Sequence, residues 1–149
     1  MKILILFQPP RFRYLSAMKM YRFTLILLCF IGMISCSSGQ YAGVKNLSAK
    51  AFDQTIKEQP EKVILDVRTP EEYAEGHLAG ALNVNWEGDH FDQQVAGLDK
   101  SKPVMVYCAA GGRSAAASKH LAKKGFKQVF NLEDGMEDWA QKGYPVTKQ

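Results

Sequence analysis

Hydrophobic positions in this sequence concentrate in four short runs, "KVILDV", "GALNVN", "PVMVY" and "QVFNL". Each run is five or six residues long, and they occupy positions 62–67, 80–85, 103–107 and 128–132. Short, nearly continuous apolar segments are typical of strands that are buried on both faces of a sheet. The pattern therefore predicts four strands, and Cys108 directly follows the third.

Amphipathic stretches before and after the first run predict two helices. In "NLSAKAFDQTIKEQ", Ser48 is suited to the N-cap position, and Phe52 and Ile56 lie four residues apart on one helical face, before Pro60 ends the helix. In "TPEE" (69–72), Thr is an N-cap, Pro occupies the first helical position and Glu the third, which is the pattern of a capping box. Gly76 stops this second helix early.

Three more helices are predicted along the rest of the chain. "FDQQVAGL" (91–98) is weakly amphipathic, and "DGMEDWAQKG" (134–143) precedes Pro145. Residues 113–124 form the third of these segments, with Ala116, Ala117 and Leu121 on the inward face and a glycine just past the end.

Alternation of strands and helices with short connections predicts an α/β fold, a single three-layer domain in which a parallel sheet is covered by helices on both faces. Ligands of such sheets bind beyond the carboxyl ends of the strands. Cys108 lies at that place, because it follows the last residue of the most strand-like run.

The positive net charge of the sequence comes from its N-terminal residues. Of 19 Lys and Arg residues, five lie in positions 1–35, where none of the 15 Asp and Glu residues occurs, so the remainder carries a formal charge of −1. A basic start followed by the 12-residue apolar stretch "FTLILLCFIGMI" (23–34) is typical of an export signal and is short for a membrane span. The overall positive charge therefore gives no reason to expect nucleic-acid binding.

Cys36 follows this apolar stretch in "MISCSSG", which resembles the lipobox of bacterial lipoproteins. We therefore predict a leader (1–35), a lipidated Cys36 with a linker (36–45) and one domain (46–149), anchored in the bacterial cell envelope on the periplasmic side, with the outer membrane allowed. Cleavage by the ordinary signal peptidase and an uncleaved anchor are the alternatives. Residues 1–17 precede a complete signal that begins at Met18, so we expect translation to start there.

Cys108 is then the one cysteine of the exported domain, since Cys29 leaves with the leader and Cys36 takes the lipid. The connector "AAGG" and the helix opening "RSAAA" follow it directly. Small residues let the backbone curl around the sulfur, and glycines permit positive φ angles that turn successive amides inward. Beside a helix N-terminus, such a loop forms a concavity of backbone amides that can bind an anion. Arg113 either adds positive charge to this concavity or forms an ion pair elsewhere. The Ser114 hydroxyl can cap the helix.

Three segments together resemble the rhodanese-like domain: "LDVRTPEEYAEGHLAGALNV" (65–84), "YCAAGGRSAAA" (107–117) and "GMEDWAQKGYPV" (135–146). The resemblance covers about residues 46–146 and implies a five-stranded, mostly parallel sheet and sulfur transfer through a persulfide on Cys108. It implies a cradle for the transferred sulfur that is formed by the backbone amides of Ala109, Ala110, Gly111, Gly112 and Arg113. No metal or organic cofactor is implied.

Alternatives to catalytic sulfur transfer follow from the same loop. A rhodanese fold used as a binding or redox-sensing module would pair Cys108 with a partner. A phosphatase or arsenate reductase is disfavoured, since the related phosphatases place five residues between Cys and Arg and this loop has four. Ala109 and Ala110 supply no charge to the loop, whereas members of the family that prefer thiosulfate often have charged side chains there. Thiosulfate is therefore doubtful as the donor, and polysulfide or a persulfide fits as well.

The expected partners are a small sulfur donor, a thiol or cyanide acceptor, an envelope thiol protein and the membrane, with no nucleic acid. Asp66 and Arg68 lie at the end of the predicted strand "KVILDV". We expect a buried Asp66 to hold the backbone of the Cys108 loop and Arg68 to pair with Glu72 or Glu75. His77 is expected to be structural, and Trp86 to pack in the core or to rim the site. The basic residues of the helix after Cys108 are a solvated face or, in a second hypothesis, attract anionic donors.

Overall fold

The computed structural model describes residues 43–148. Five strands and five helices alternate along this part of the chain. The strands are β1 (Val44–Leu47), β2 (Val63–Asp66), β3 (Leu82–Asn83), β4 (Pro103–Tyr107) and β5 (Gln128–Leu132). The helices are α1 (Ala49–Glu58), α2 (Pro70–Glu75), α3 (Phe91–Ala96), α4 (Gly112–Lys123) and α5 (Gly135–Gln141).

All five strands belong to one sheet in the order β1-β5-β4-β2-β3, and every pair of neighbours is parallel. The predicted α/β architecture is confirmed. β4 lies in the middle of the sheet, with Val106 opposite both Leu65 of β2 and Asn131 of β5. The carboxyl end of β4 therefore opens at the centre of one sheet edge, which is where the chain continues into Cys108.

Side chains of β4 alternate between two hydrophobic clusters, one on each face of the sheet. Val104, Val106 and Cys108 join the cluster that contains buried residues of α3 and α4, while Met105 and Tyr107 join the cluster that contains residues of α1 and α5. All of these β4 residues are buried. The extended chain thus carries its alternation one residue beyond the strand, and the thiol of Cys108 points to the α3/α4 side.

Local signals account for most helix boundaries. The capping box at the start of α2 is complete, because the Thr69 hydroxyl accepts from the Glu72 amide and the Glu72 carboxylate accepts from the Thr69 amide. Ser48 is the N-cap of α1, although its side chain makes no cap hydrogen bond. Gly125, at φ +96°, follows the C-cap of α4 as predicted.

Two details differ from the sequence prediction. β1 was not predicted: "VKNL" is an edge strand with its two middle residues exposed, so it lacks the continuous apolar run of a buried strand. It begins at Val44, two residues before the predicted domain start. Ala116 is exposed, whereas Ala117 and Leu121 are fully buried, because a helix resting on a sheet buries a narrower stripe than we expected.

The predicted leader, Cys36 and most of the linker lie outside the described residues. Within residues 43–148, no helix has the length and hydrophobicity that crossing a bilayer requires.

Candidate functional site

Cys108 lies at the carboxyl end of the central strand and is 1% exposed. It is a buried member of the hydrophobic cluster on the α3/α4 side. The loop that follows, Cys108 to Gly111, leads straight into α4. A nucleophile at the mouth of a parallel sheet, ahead of a helix N-terminus, is the arrangement that the sequence predicts.

The first turn of α5 fixes the start of this loop. The amide of Met136 donates to the carbonyl of Cys108 (2.8 Å), and the amide of Glu137 donates to the carbonyl of Ala109 (3.0 Å). Both carbonyls are therefore held by α5, the helix that follows the neighbouring strand β5. Because the two carbonyls face α5, the loop cannot rotate freely about these peptide units.

Close packing between the loop and the β5–α5 turn requires two glycines. Gly111 has φ +86° and Gly135 has φ +68°, both in the left-handed region that favours glycine. A Cβ on Gly111 would overlap the carbonyl of Glu133, and a Cβ on Gly135 would overlap the carbonyl of Ala109 and approach the Ala110 amide nitrogen to 2.7 Å. The two connections can touch only because neither position carries a side chain.

Six consecutive backbone amides, those of Ala109 to Ser114, have no hydrogen-bond acceptor among the described residues. The first amide after them, that of Ala115, donates to the carbonyl of Gly111 and so begins the hydrogen-bond ladder of α4. Unpaired amides ahead of a 12-residue helix form an electropositive concavity that can hold an anion. They directly follow the sulfur of Cys108.

Ser114 contributes differently from the prediction. Its side chain is buried, and its hydroxyl donates to the carbonyl of Gly111 at 3.0 Å. No side chain caps α4, since the N-cap residue is Gly111. The Ser114 hydroxyl proton therefore stabilises the loop backbone and does not cap the helix.

Arg113 forms a bidentate ion pair with Glu72 of α2, the second of the two arrangements that the sequence left open. Its two terminal nitrogens lie 2.8 and 2.6 Å from the Glu72 carboxylate oxygens, and Glu87 lies 3.8 Å away. The hydrogen bonds from Arg113 lower the pKa of Glu72 to about 2. In return, Glu72 raises the pKa of Arg113, with a smaller contribution from the charge of Cys108.

Asp66 and Arg68 form a buried pair that does not reach the loop, which corrects both predictions. Arg68 donates to the Asp66 carboxylate through Nε and a terminal nitrogen (3.0 and 2.6 Å) and to the carbonyl of Gly76 (2.7 Å). Asp66 also accepts from the Arg68 amide. Asp66 and Arg68 lie two residues apart after β2 and pair with each other, and Arg68 also binds the C-cap carbonyl of α2, so they are supporting residues that hold α2 against the end of β2.

Tyr107, which was not among the predicted site residues, ties the connection between α2 and β3 to β4. Its hydroxyl accepts from the amide of Leu78 (3.0 Å). Burial, followed by the charge of Asp66, raises the pKa of Tyr107 well above its ordinary value. A buried tyrosine at a strand end needs a polar partner, and that requirement is the signal that was missed.

A surface pocket of about 320 Å³ opens beside the loop. Ala109 contributes to it from the loop, and Met136 and Ala140 contribute apolar side chains from α5. Its charged lining residues are Arg68, Glu72, Glu75 and Glu137. Apart from the Arg68 guanidinium, which is paired with Asp66, the charges around this opening are carboxylates.

Other candidates from the sequence take structural positions. His77 is buried, stacks on Tyr73 at 3.7 Å between ring centroids and contacts the Tyr73 carbonyl. Trp86 packs against the hydrophobic cluster that contains Cys108. No group of three or more His, Cys, Asp and Glu residues in the described range is placed to hold a metal ion.

The basic surface after the loop is partly neutralised. Lys124 of the α4 C-cap pairs with Asp92 at 2.6 Å, and His120 contacts the same carboxylate. Arg113, at the other end of α4, pairs with Glu72. The interpretation of this surface as a solvated face therefore agrees better with these two ion pairs than does a field that attracts anions.

The chain matches a known protein family over most of its described residues. The family model of the rhodanese-like domain matches residues 48–142. The putative sulfur carrier protein YrkF of Bacillus subtilis is 31% identical over 106 residues, which cover 71% of this chain and 56% of that protein. The chain thus spans little more than half of that relative. Thiosulfate sulfurtransferase GlpE of Coxiella burnetii is 40% identical over 77 residues, 52% of this chain and 70% of GlpE.

Solved structures show the same fold. A rhodanese-related protein from Thermoplasma volcanium superimposes with a TM-score of 0.62 at 31% identity, covering 70% of this chain and 99% of that one. The polysulfide-sulfur transferase homodimer of Wolinella succinogenes has a TM-score of 0.61 at 28% identity, covering 87% of this chain and 92% of that one.

Proposed function

This chain belongs to the rhodanese-like domain family, and we propose that it is a sulfurtransferase in which Cys108 carries a sulfane sulfur from a donor to a thiophilic acceptor. The observation that carries the proposal is the row of six unpaired amides, Ala109 to Ser114, that follows Cys108. A persulfide bears its negative charge on the outer sulfur, one bond farther out than a thiolate. A curved row of amides can accept that charge as it moves outward.

The reaction is a double displacement. The Cys108 thiolate attacks the outer sulfur of the donor, the donor's S–S bond breaks, and the remainder leaves with the electron pair, as sulfite when the donor is thiosulfate. The acceptor nucleophile then attacks the outer sulfur of the Cys108 persulfide, and the Cys108 thiolate leaves. With cyanide as acceptor, the product is thiocyanate.

Intact-mass spectrometry of the purified protein tests this proposal. After incubation with thiosulfate or polysulfide, we expect a mass gain of one sulfur atom, which cyanide removes with release of thiocyanate. Cys108→Ser is the matched control and should gain no sulfur. If the unmodified protein never gains sulfur from any donor, the proposal is wrong.

The burial of Cys108 supports a second candidate function, that of a binding or redox-sensing module. A persulfide on a thiol that is 1% exposed would be long-lived, since small thiols reach the sulfur poorly. Multiple turnovers per Cys108 with a small donor and cyanide support the enzyme. Labelling that stops after one equivalent, together with a protein disulfide-linked to Cys108, supports the module.

Export and lipid anchoring remain proposals that the sequence alone supports. We propose that the lipid on Cys36 holds the domain (46–149) at the periplasmic side of the envelope through the linker 36–45. There, the partners would be small sulfur compounds and thiol proteins of the envelope.

A further inference from the structure

The positive charge nearest to Cys108 in the loop is held by a carboxylate. Arg113 is the one cationic side chain between Cys108 and Ser114, and both of its terminal nitrogens contact Glu72 at 2.8 and 2.6 Å. The pair is partly buried, with 23% of the Arg113 side chain and 31% of the Glu72 side chain exposed. A bidentate pair fixes the guanidinium in one orientation.

Glu72 itself is held in place by α2. One of its carboxylate oxygens accepts from the Thr69 amide as part of the capping box. The same residue therefore begins a helix and binds the loop arginine. Arg113 cannot turn toward a bound anion unless it gives up two charge-assisted hydrogen bonds to a carboxylate that stays where it is.

The pocket beside the loop also disfavours donors that carry a high negative charge. Among its charged lining residues, Arg68 is neutralised by Asp66 and Glu72 by Arg113, which leaves the carboxylates of Glu75 and Glu137 without an ion pair among the described residues. A small donor that approaches Ala109 of the loop from the α2/α5 side passes these two carboxylates. Each additional negative charge on the donor adds to the repulsion.

We propose that Glu72 is a specificity-determining residue, which, by holding Arg113 in a bidentate pair, makes the site select monoanionic or neutral organic sulfur donors over small dianions such as thiosulfate. This inference rests on the sulfur transfer proposed above and narrows its donor class. The amides of the loop still bind the single negative charge of the transferred sulfur.

Two donors of nearly equal shape separate charge from size. Thiosulfate carries two negative charges, whereas the methanethiosulfonate anion (CH₃SO₂S⁻) has a methyl group in place of one oxygen and carries one. With either donor, the Cys108 thiolate attacks the terminal sulfur and the S–S bond breaks. Sulfite or methanesulfinate leaves with the electron pair, and the same Cys108 persulfide remains.

The measurement is the ratio of KM for thiosulfate to KM for methanethiosulfonate, at low ionic strength with cyanide as acceptor. We expect the unmodified protein to show a ratio well above one. Glu72→Gln should lower the ratio about 10-fold, because Gln keeps the capping box while the neutral amide no longer holds the guanidinium. In this variant, added salt should raise the KM for thiosulfate, since the released attraction is screened.

Glu75→Gln is the charge-matched control. It removes the same unit of charge from the same pocket, but Glu75 makes no contact with Arg113, so the ratio should change about 2-fold at most. Equal effects of the two substitutions would show that net charge, and not the pair, sets the preference, and would overturn the proposal. The proposal would also be overturned if Glu72→Gln left the KM ratio unchanged while both donors still transferred sulfur to Cys108.

Arg113→Gln keeps the inference testable if Glu72→Gln does not fold. It leaves the Glu72 carboxylate without its cation, so the ratio should rise above that of the unmodified protein, and an unchanged ratio would contradict the proposal. Failure of the sulfur transfer itself has a different signature. In that case neither donor adds sulfur to Cys108 in any variant, and no ratio exists.

Discussion

At the scale of single residues, Glu72 combines two roles that the sequence displays separately. Its place three residues after Thr69 predicts the capping box, and the structure confirms it. Its pairing with Arg113 spans 41 positions, so no local pattern announces it. Sequence reasoning instead assigned Glu72 or Glu75 to Arg68, because α2 follows Arg68 directly. The nearer carboxylate of Asp66 takes that arginine and leaves Glu72 to the loop.

The ion pair predicts how stability depends on pH. Arg113 lowers the pKa of Glu72 from 4.5 to about 2 in the folded protein, so the folded state binds a proton at Glu72 less readily than the unfolded state. The stabilisation is therefore complete above the unfolded pKa and is lost as the pH falls toward 2. We expect the free energy of unfolding of the unmodified protein to exceed that of Glu72→Gln by a constant amount at neutral pH and by a shrinking amount below about pH 4.5.

Urea unfolding at a series of pH values measures this difference. Glu75→Gln controls for the loss of one α2 carboxylate that has no ion pair among the described residues. A difference between Glu72→Gln and the unmodified protein that stays the same down to pH 3 would mean that the pair contributes nothing to stability.

At the scale of elements, the shape of the candidate site arises where the start of α4 meets the start of α5. α5 donates two amides to the carbonyls of Cys108 and Ala109, and the glycines at 111 and 135 let the two connections approach. Both helices and the glycine-rich connector lie where the sequence pattern predicts them. No role was predicted for the β5–α5 turn, although "EDG" before a helix marks a tight turn. Contact between the turn and the loop depends on two parallel strands being neighbours.

Two adjacent glycines test this packing. A Cβ on Gly111 would overlap the Glu133 carbonyl at a positive φ, while a Cβ on Gly112 would meet nothing within 4 Å. We expect Gly111→Ala to lower the free energy of unfolding by about 2 kcal/mol or more, from strain and displacement of the turn. Gly112→Ala should be neutral or stabilising by about 0.5–1 kcal/mol, because alanine favours the helix.

Urea unfolding of the two variants provides the comparison, and the unmodified protein gives the reference. Equal stability of Gly111→Ala and Gly112→Ala would show that the loop and the β5–α5 turn can separate at little cost. The role assigned to their contact would then be wrong.

At the scale of the whole molecule, the fold could be predicted from the sequence because its central strands are continuous apolar runs. β4 and β5 match the predicted segments residue for residue. β1 could not be found in this way, since an edge strand with exposed Lys45 and Asn46 resembles a loop. The position of Cys108 follows from the order of elements alone, whereas the pairing of Arg113 with Glu72 depends on a distance between two helices that the sequence does not encode locally.

The proposed leader and anchor concern the chain as a whole and lead to the last prediction. If Cys36 carries a lipid, cells that express the full chain and are fed an alkyne-labelled fatty acid should yield a labelled protein in the membrane fraction. Cys36→Ser should lose the label, because no other residue supplies the lipidated thiol of a lipobox. Cys108→Ser is the matched control, since it removes a different cysteine and should keep the label. A Cys36→Ser protein that still takes up label, or an unmodified protein that never does, would contradict the anchor and leave the sulfur chemistry of Cys108 to be judged separately.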